Sequence, residues 1–126
     1  MEEEFKVGFM KCHNYTIESI ENHVATIRAP LDENALNPYG FTHGGFIFAL
    51  GDTAMGVAAR TIGKKSVTLS ANISYLRIGK GKFLRAEGRI VKEGKNILFT
   101  EANVYNEENE LIATMSGTYY IMEERR

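Results

Sequence analysis

Apolar and polar positions change period several times along this chain, and each change marks an element. "YTIESIENHVATIRAP" alternates on both sides of Glu21-Asn22, which predicts two strands joined there as a hairpin and ended by Pro30. The residues ahead of it are enough for a helical turn. "LDENALNPYGFT" sets Pro38 and Gly40 among polar residues and reads as a loop. From about Gly44 to Arg60, the apolar positions Phe46, Ile47, Leu50, Ala54, Val57 and Ala58 recur at helical spacing until Gly63 stops the pattern, so one helix is expected there. Alternation then returns. In "VTLSANISY", Val67, Leu69, Ala71, Ile73 and Tyr75 fall on one face and Thr68, Ser70, Asn72 and Ser74 on the other. The remainder, broken at Glu93-Gly94-Lys95 and from Asn106 to Asn109, predicts three more strands in an antiparallel meander.

The resulting order, β-β-α-β-β-β-β, is that of an α+β fold in one domain over residues 1–126. A sheet of about six antiparallel strands needs its apolar face covered, and with one helix available the helix is expected to lie across the sheet as its core. The other sheet face and the sheet edges then stay open to a partner subunit. Composition narrows the function. A net charge of −1, with acids and bases interspersed, offers no field to hold a nucleic acid backbone, so nucleic acid is not an expected partner. Cys12 is the only cysteine and can build neither an internal disulfide nor a metal cluster, which fits a reducing cytoplasm. "MEEEFK" lacks the basic flank and apolar core of a signal peptide, and no run approaches a membrane span, so a cytoplasmic protein without membrane contact is expected.

Chemistry concentrates in "THGGFIFALGDTAMG", Thr42 to Gly56. Glycine is a poor helix former and an aspartate is costly to bury, so the segment departs twice from what stability alone would choose. A helix start exposes unpaired N–H groups and partial positive charge, and Gly44 and Gly45 carry no side chain to keep a carbonyl oxygen away from them. That is the geometry of an oxyanion hole, although the same glycines could simply let the helix pass close to a strand. Asp52 follows His43 by nine residues, about 13 Å along a helix axis and turned away from it. One chain's His-Gly-Gly amides and its own Asp52 therefore cannot act on one carbonyl carbon. If both are catalytic they come from two subunits whose helices run antiparallel. Asn37, six residues before His43, could bond a water or a substrate oxygen or could serve the turn before Pro38; His43 could orient the loop as a cap. His13 and His23 show no metal-ligand spacing, and no metal site is expected. Phe46, Phe48 and Met55 could line a pocket, but at helical spacing they fit core or interface better.

"NPYGFTHGGFIFALGDTAMGVAA" resembles the hotdog-fold acyl-CoA thioesterases of the phenylacetate-degradation (PaaI-like) type, and the likeness in layout runs from about Tyr15 to Met122. The combination of Asn, Gly, His-Gly-Gly and an acid nine residues after the His carries it. The resemblance implies a hotdog fold and hydrolysis of a coenzyme A thioester without a cofactor. Asp52 would be the nucleophile or the general base, the Gly44 amide would polarise the thioester carbonyl with Gly45 beside it, Asn37 would position the reacting groups and His43 would support the loop. A hydroxyl on the following strand, Thr68 or else Ser70, would stand near the acid. Arg77 and the Gly94-Lys95 turn would meet the nucleotide end of the substrate. The resemblance further implies a homodimer, with two dimers pairing into a tetramer. Dehydratase chemistry on an acyl thioester, or acyl-CoA sensing without cleavage, are the alternatives within such a fold.

Overall fold

A computed structural model describes residues 8–122, and the acidic N-terminal stretch "MEEEFK" lies outside them. The chain opens with a short helix, α1 (Gly8–Cys12). The hairpin β1 (Thr16–Glu21) and β2 (Val24–Pro30) follows, and a 3-10 turn (Glu33–Ala35) then leads to the long helix α2 (Gly44–Arg60). Four strands complete it: β3 (Ser66–Tyr75), β4 (Phe83–Glu93), β5 (Ile97–Asn106) and β6 (Leu111–Ile121). The six strands form one antiparallel sheet in the order β1-β2-β4-β5-β6-β3. The meander β4-β5-β6 is its centre. The hairpin attaches to β4, and β3 crosses over to pair with β6, which leaves β3 as an edge.

The helix fills the concave side of this sheet, as the alternation of the strands requires. Ile47, Leu50, Ala54, Val57 and Ala58 are buried against apolar residues of β2, β4 and β5, and Met55 and Ala59 join a second cluster with Leu98, Met115 and Tyr119. Met55 is thus core, and Phe46 and Phe48 pack at the edges of the two clusters. Gly88 on β4 allows the closest approach, since a Cβ there would fall on the backbone carbonyl of Ala54. No helix among the described residues is long and apolar enough to cross a membrane.

Two details differ from the sequence pattern. The hairpin turns at Asn22-His23, one residue later than the alternation suggested. Both residues are in the left-handed region, with φ of 52° and 64°, as a tight two-residue hairpin turn demands, and Glu21 pairs with Val24 across it. The second difference matters to the chemistry. Strict alternation put Thr68 on the face opposite Ala71 and Ile73. In the structure Thr68 stands opposite Tyr119 and Ser70 opposite Thr118, so Leu69 is the extra residue of a β-bulge. The bulge exchanges the faces on either side of it: Thr68 looks toward the helix together with Ala71 and Ile73, while Val67 and Leu69 are 51% and 60% exposed.

Candidate active site

The start of α2 is anchored before any chemistry is placed on it. Thr42 is buried, and both its N–H and its hydroxyl donate to the Gly79 carbonyl, at 3.0 and 2.7 Å. His43 N–H donates to the Ala35 carbonyl at 2.7 Å. His43 is the N-cap: extended at φ −62° and ψ 135°, its Nδ1 accepts the Gly45 N–H at 2.8 Å, so a neutral ring carries its proton on Nε2. A Cβ on Gly45 would crowd that ring at 3.0 Å. The cap thus consumes the Gly45 amide, and Phe46 and Ile47 N–H both go to the His43 carbonyl. The Gly44 N–H finds no acceptor among the described residues. Its carbonyl takes the hydroxyl of Tyr75, at 2.7 Å, which ties the first residue of the helix to the end of β3. Asn37 holds the preceding loop: its Oδ1 accepts the N–H groups of Tyr39 and Phe41, at 2.9 and 3.1 Å, in a turn of the kind Asn favours before proline. Its Nδ2 donates to no described residue.

Asp52 lies two turns further along α2, roughly 12 Å from Gly44 by helical rise. The bulge in β3 brings the Thr68 hydroxyl to its Oδ1, at 3.0 Å, and Tyr119 on β6 donates to the same oxygen at 2.5 Å. Ser70, on the far side of the bulge, lines a groove on the opposite face of the sheet and takes no part. The carboxylate opens on a cleft of about 340 Å³ whose walls are mostly apolar, from Phe9, Met10, Val57, Val67 and Tyr119. Phe46, Phe48 and Met55 are not among its lining residues. Among the described residues no group of three or more His, Cys, Asp or Glu is arranged to hold a metal ion.

Strand β3 carries both halves of this arrangement. Its C-terminal end meets Gly44 through Tyr75 and its N-terminal end meets Asp52 through Thr68. Arg77, which follows the strand, stays at the Gly44 end and pairs with Glu110 at 3.6 Å. The Gly94-Lys95 turn lies at the Asp52 end, since Leu98 pairs with Tyr119 and the Ile121 N–H donates to the Asn96 carbonyl at 2.8 Å. Lys95 is exposed there, and Gly94 closes the turn by donating to the Ile97 carbonyl. The candidates therefore fall into two sets within one chain: Asn37, His43, Gly44, Gly45 and Arg77 at one end, Asp52, Thr68, Gly94 and Lys95 at the other. Sequence reasoning missed Tyr119 and Tyr75. Tyr119 shares its face of β6 with Ala113, Met115 and Ile121, and a phenol among buried positions needs an acceptor; that was the available signal.

A single helix wrapped by a curled antiparallel sheet, with a carboxylate in the helix facing an apolar cleft, is the hotdog architecture in its thioester-hydrolysing form. The thioesterase superfamily model matches residues 39–113, from the loop before α2 into β6. The acyl-coenzyme A thioesterase PaaI of Escherichia coli is 28% identical over 80% of this chain and 73% of its own. Among solved structures, the conserved protein PA5202 of Pseudomonas aeruginosa superposes with a TM-score of 0.90 at 28% identity, covering 97% of this chain and 100% of that one. A hypothetical thioesterase of Streptococcus pneumoniae TIGR4, solved with coenzyme A, gives 0.84 at 28% identity over 90% and 92%. The chain belongs to the thioesterase superfamily, as a PaaI-like hotdog thioester hydrolase.

Proposed function

We propose that this chain hydrolyses acyl or aryl-acyl thioesters of coenzyme A to the free acid and CoA, with Asp52 as the reacting carboxylate. The observation that carries the reading is the position of that carboxylate, held by two hydroxyls at the mouth of an apolar cleft. The cleft suits an acyl group. The Gly44 N–H, left without an acceptor at a helix start, suits the oxyanion that forms when the thioester carbonyl is attacked. Asp52 either attacks the carbonyl carbon, giving a mixed anhydride that water then opens, or takes a proton from the water that attacks. In both routes the C–S bond breaks and the proton ends on the CoA thiolate. Asn37, whose Nδ2 is not spent on the loop, would donate to the reacting groups, and His43 keeps the glycine amides in place. The coenzyme A bound to the Streptococcus relative and the activity of E. coli PaaI support this substrate class.

The site needs two chains. Edge strand β3 exposes Val67, Leu69, Tyr75 and, just beyond it, Leu76, each half or more exposed. Such an edge calls for a partner. Antiparallel pairing of β3 with its own copy about a two-fold axis brings the Thr68 end of one chain to the Tyr75 end of the other. Asp52 and Lys95 of one subunit then complete a site with Gly44 and Arg77 of its neighbour, the two cations serving the nucleotide phosphates. Two such dimers pair into a tetramer. The test follows thiol release from a panel of acyl-CoAs. Asp52→Asn is expected to lower kcat roughly a thousandfold, whereas wild-type turnover by Asp52→Asn, or no release by the wild type from any acyl-CoA, contradicts the reading.

A further inference from the structure

Two hydroxyl groups converge on one oxygen of Asp52. Tyr119 Oη lies 2.5 Å from Oδ1 and Thr68 Oγ1 3.0 Å from the same atom, while Oδ2 accepts no hydrogen bond from any described residue. Each hydroxyl has one proton to give. The phenol also lies 2.7 Å from the backbone carbonyl of Asp52, but a carboxylate is the stronger acceptor and the shorter distance agrees with a proton directed at Oδ1. Burial pushes the phenol well above the usual tyrosine range and the bond to Asp52 pushes it further, with the Thr68 hydroxyl acting the other way, so Tyr119 is a protonated donor at neutral pH.

The clamp is built from the sheet rather than the helix. Tyr119 and Thr68 are direct neighbours in the β3–β6 register, and Tyr119 is 3% exposed within the cluster of Met55, Leu98 and Met115. A carboxylate with one oxygen bonded to both of these donors cannot turn freely about its Cβ–Cγ bond, and its second oxygen is held in one direction.

We propose that Tyr119 is a positioning residue for thioester hydrolysis: together with Thr68 it fixes Oδ1 against the sheet and thereby makes Oδ2 the oxygen that attacks the carbonyl or takes the proton from water. The proposal rests on the reading of Asp52 as the reacting carboxylate. Tyr119 lies beyond the segment that the superfamily model matches. Its ring is a wall of the cleft, whereas its hydroxyl, spent on Asp52, acts on the rate of the chemical step and leaves substrate affinity alone.

The test compares four proteins on the best acyl-CoA of the panel: wild type, Tyr119→Phe, Asp52→Asn and the double variant, with kcat, KM and thermal unfolding for each. Tyr119→Phe is expected to lower kcat about tenfold to a hundredfold with KM unchanged within about twofold, the signature of an interaction needed only for the chemical step. In the Asp52→Asn background the same change is expected to cost nothing further. Wild-type kcat in Tyr119→Phe overturns the proposal while leaving Asp52 in its role. An equal loss in both backgrounds also overturns it, because the phenol then acts other than through Asp52. An Asp52→Asn protein as active as wild type, or a wild type that cleaves no acyl-CoA, removes the proposal together with the reading beneath it. Should Tyr119→Phe fail to fold, Thr68→Val removes the other donor to Oδ1, and a kcat-only loss that vanishes on Asp52→Asn is again expected; its absence counts against the clamp.

Discussion

Tyr15 carries a phenol into the core with no described residue to bond it. The residue is fully buried where α1 meets β1, amid the rings of Phe9, His13 and Phe46, and its hydroxyl has no partner among the described residues. An unpaired buried hydroxyl costs about 1–3 kcal/mol, so Tyr15→Phe is expected to stabilise the fold by about 1 kcal/mol in denaturant unfolding. Burial also raises the Tyr15 pKa above the ordinary tyrosine value of 10.0. The sign of the linkage follows: below pH 10 the group is neutral in both states and its contribution is constant, and above it the unfolded chain ionises while the fold resists. Stability should therefore fall by about 1.4 kcal/mol per pH unit above pH 10 on account of this residue, and Tyr15→Phe should remove that part of the slope. A slope that is the same in both proteins would contradict this. At this scale the sequence was only partly legible. Asp52 stood out because an acid inside an apolar helix is costly. Thr68 was legible through the family resemblance but not through alternation, because a bulge at Leu69 reverses the faces and has no hydrophobic signature of its own. Tyr119 hid among the apolar positions of β6.

Among the elements, α2 was the most readable, since its 3.6-residue period, the cap at His43 and the stop at Gly63 agree with one another. The strands were readable singly. Their order was not, because the crossover that carries β3 to the outside of β6 is fixed by contacts distant in sequence. Missing Cβ atoms let the helix and sheet meet, at Gly51 against the Met115 side chain and at Gly88 against the helix backbone itself. Gly88→Ala would drive a methyl group into the Ala54 carbonyl, with backbone on both sides and no flexible side chain to yield. It is expected to destabilise the protein by about 3 kcal/mol, read as a lower midpoint in urea. A variant as stable as wild type would mean the helix can lift from β4 more easily than this packing implies. The helix start offers a gentler probe. Gly44 is the first helical residue, the position at which proline is tolerated, and His43 ahead of it already has the extended ψ that proline requires. Gly44→Pro deletes that N–H and sets a Cβ against the Tyr75 hydroxyl at 3.3 Å, a contact that Gly44→Ala reproduces with the N–H kept; the expected loss is roughly a hundredfold in kcat with an intact fold. Gly44→Ala keeps the N–H and should retain more activity, although its methyl group comes within 3.3 Å of the Tyr75 hydroxyl.

At the scale of the molecule, everything turns on the distance between the two ends of β3. Composition said little here beyond disfavouring a nucleic acid partner. It was helical arithmetic that separated Gly44 from Asp52, and the structure keeps them apart on one helix, with Arg77 at the end of the sheet nearer the first and Lys95 at the end nearer the second. The two-fold dimer proposed above would contain two sites, each made of the Gly44 set from one chain and the Asp52 set from the other. The most direct measurement mixes Asp52→Asn and Gly44→Pro chains, each nearly inactive alone, after unfolding and joint refolding. In a hybrid dimer one site inherits both defects and the other inherits neither, and half of the randomly formed dimers are hybrids, so about a quarter of wild-type thiol release should return. Mixtures that show only the sum of the two residual activities would mean that each chain works alone, and the shared site would be wrong.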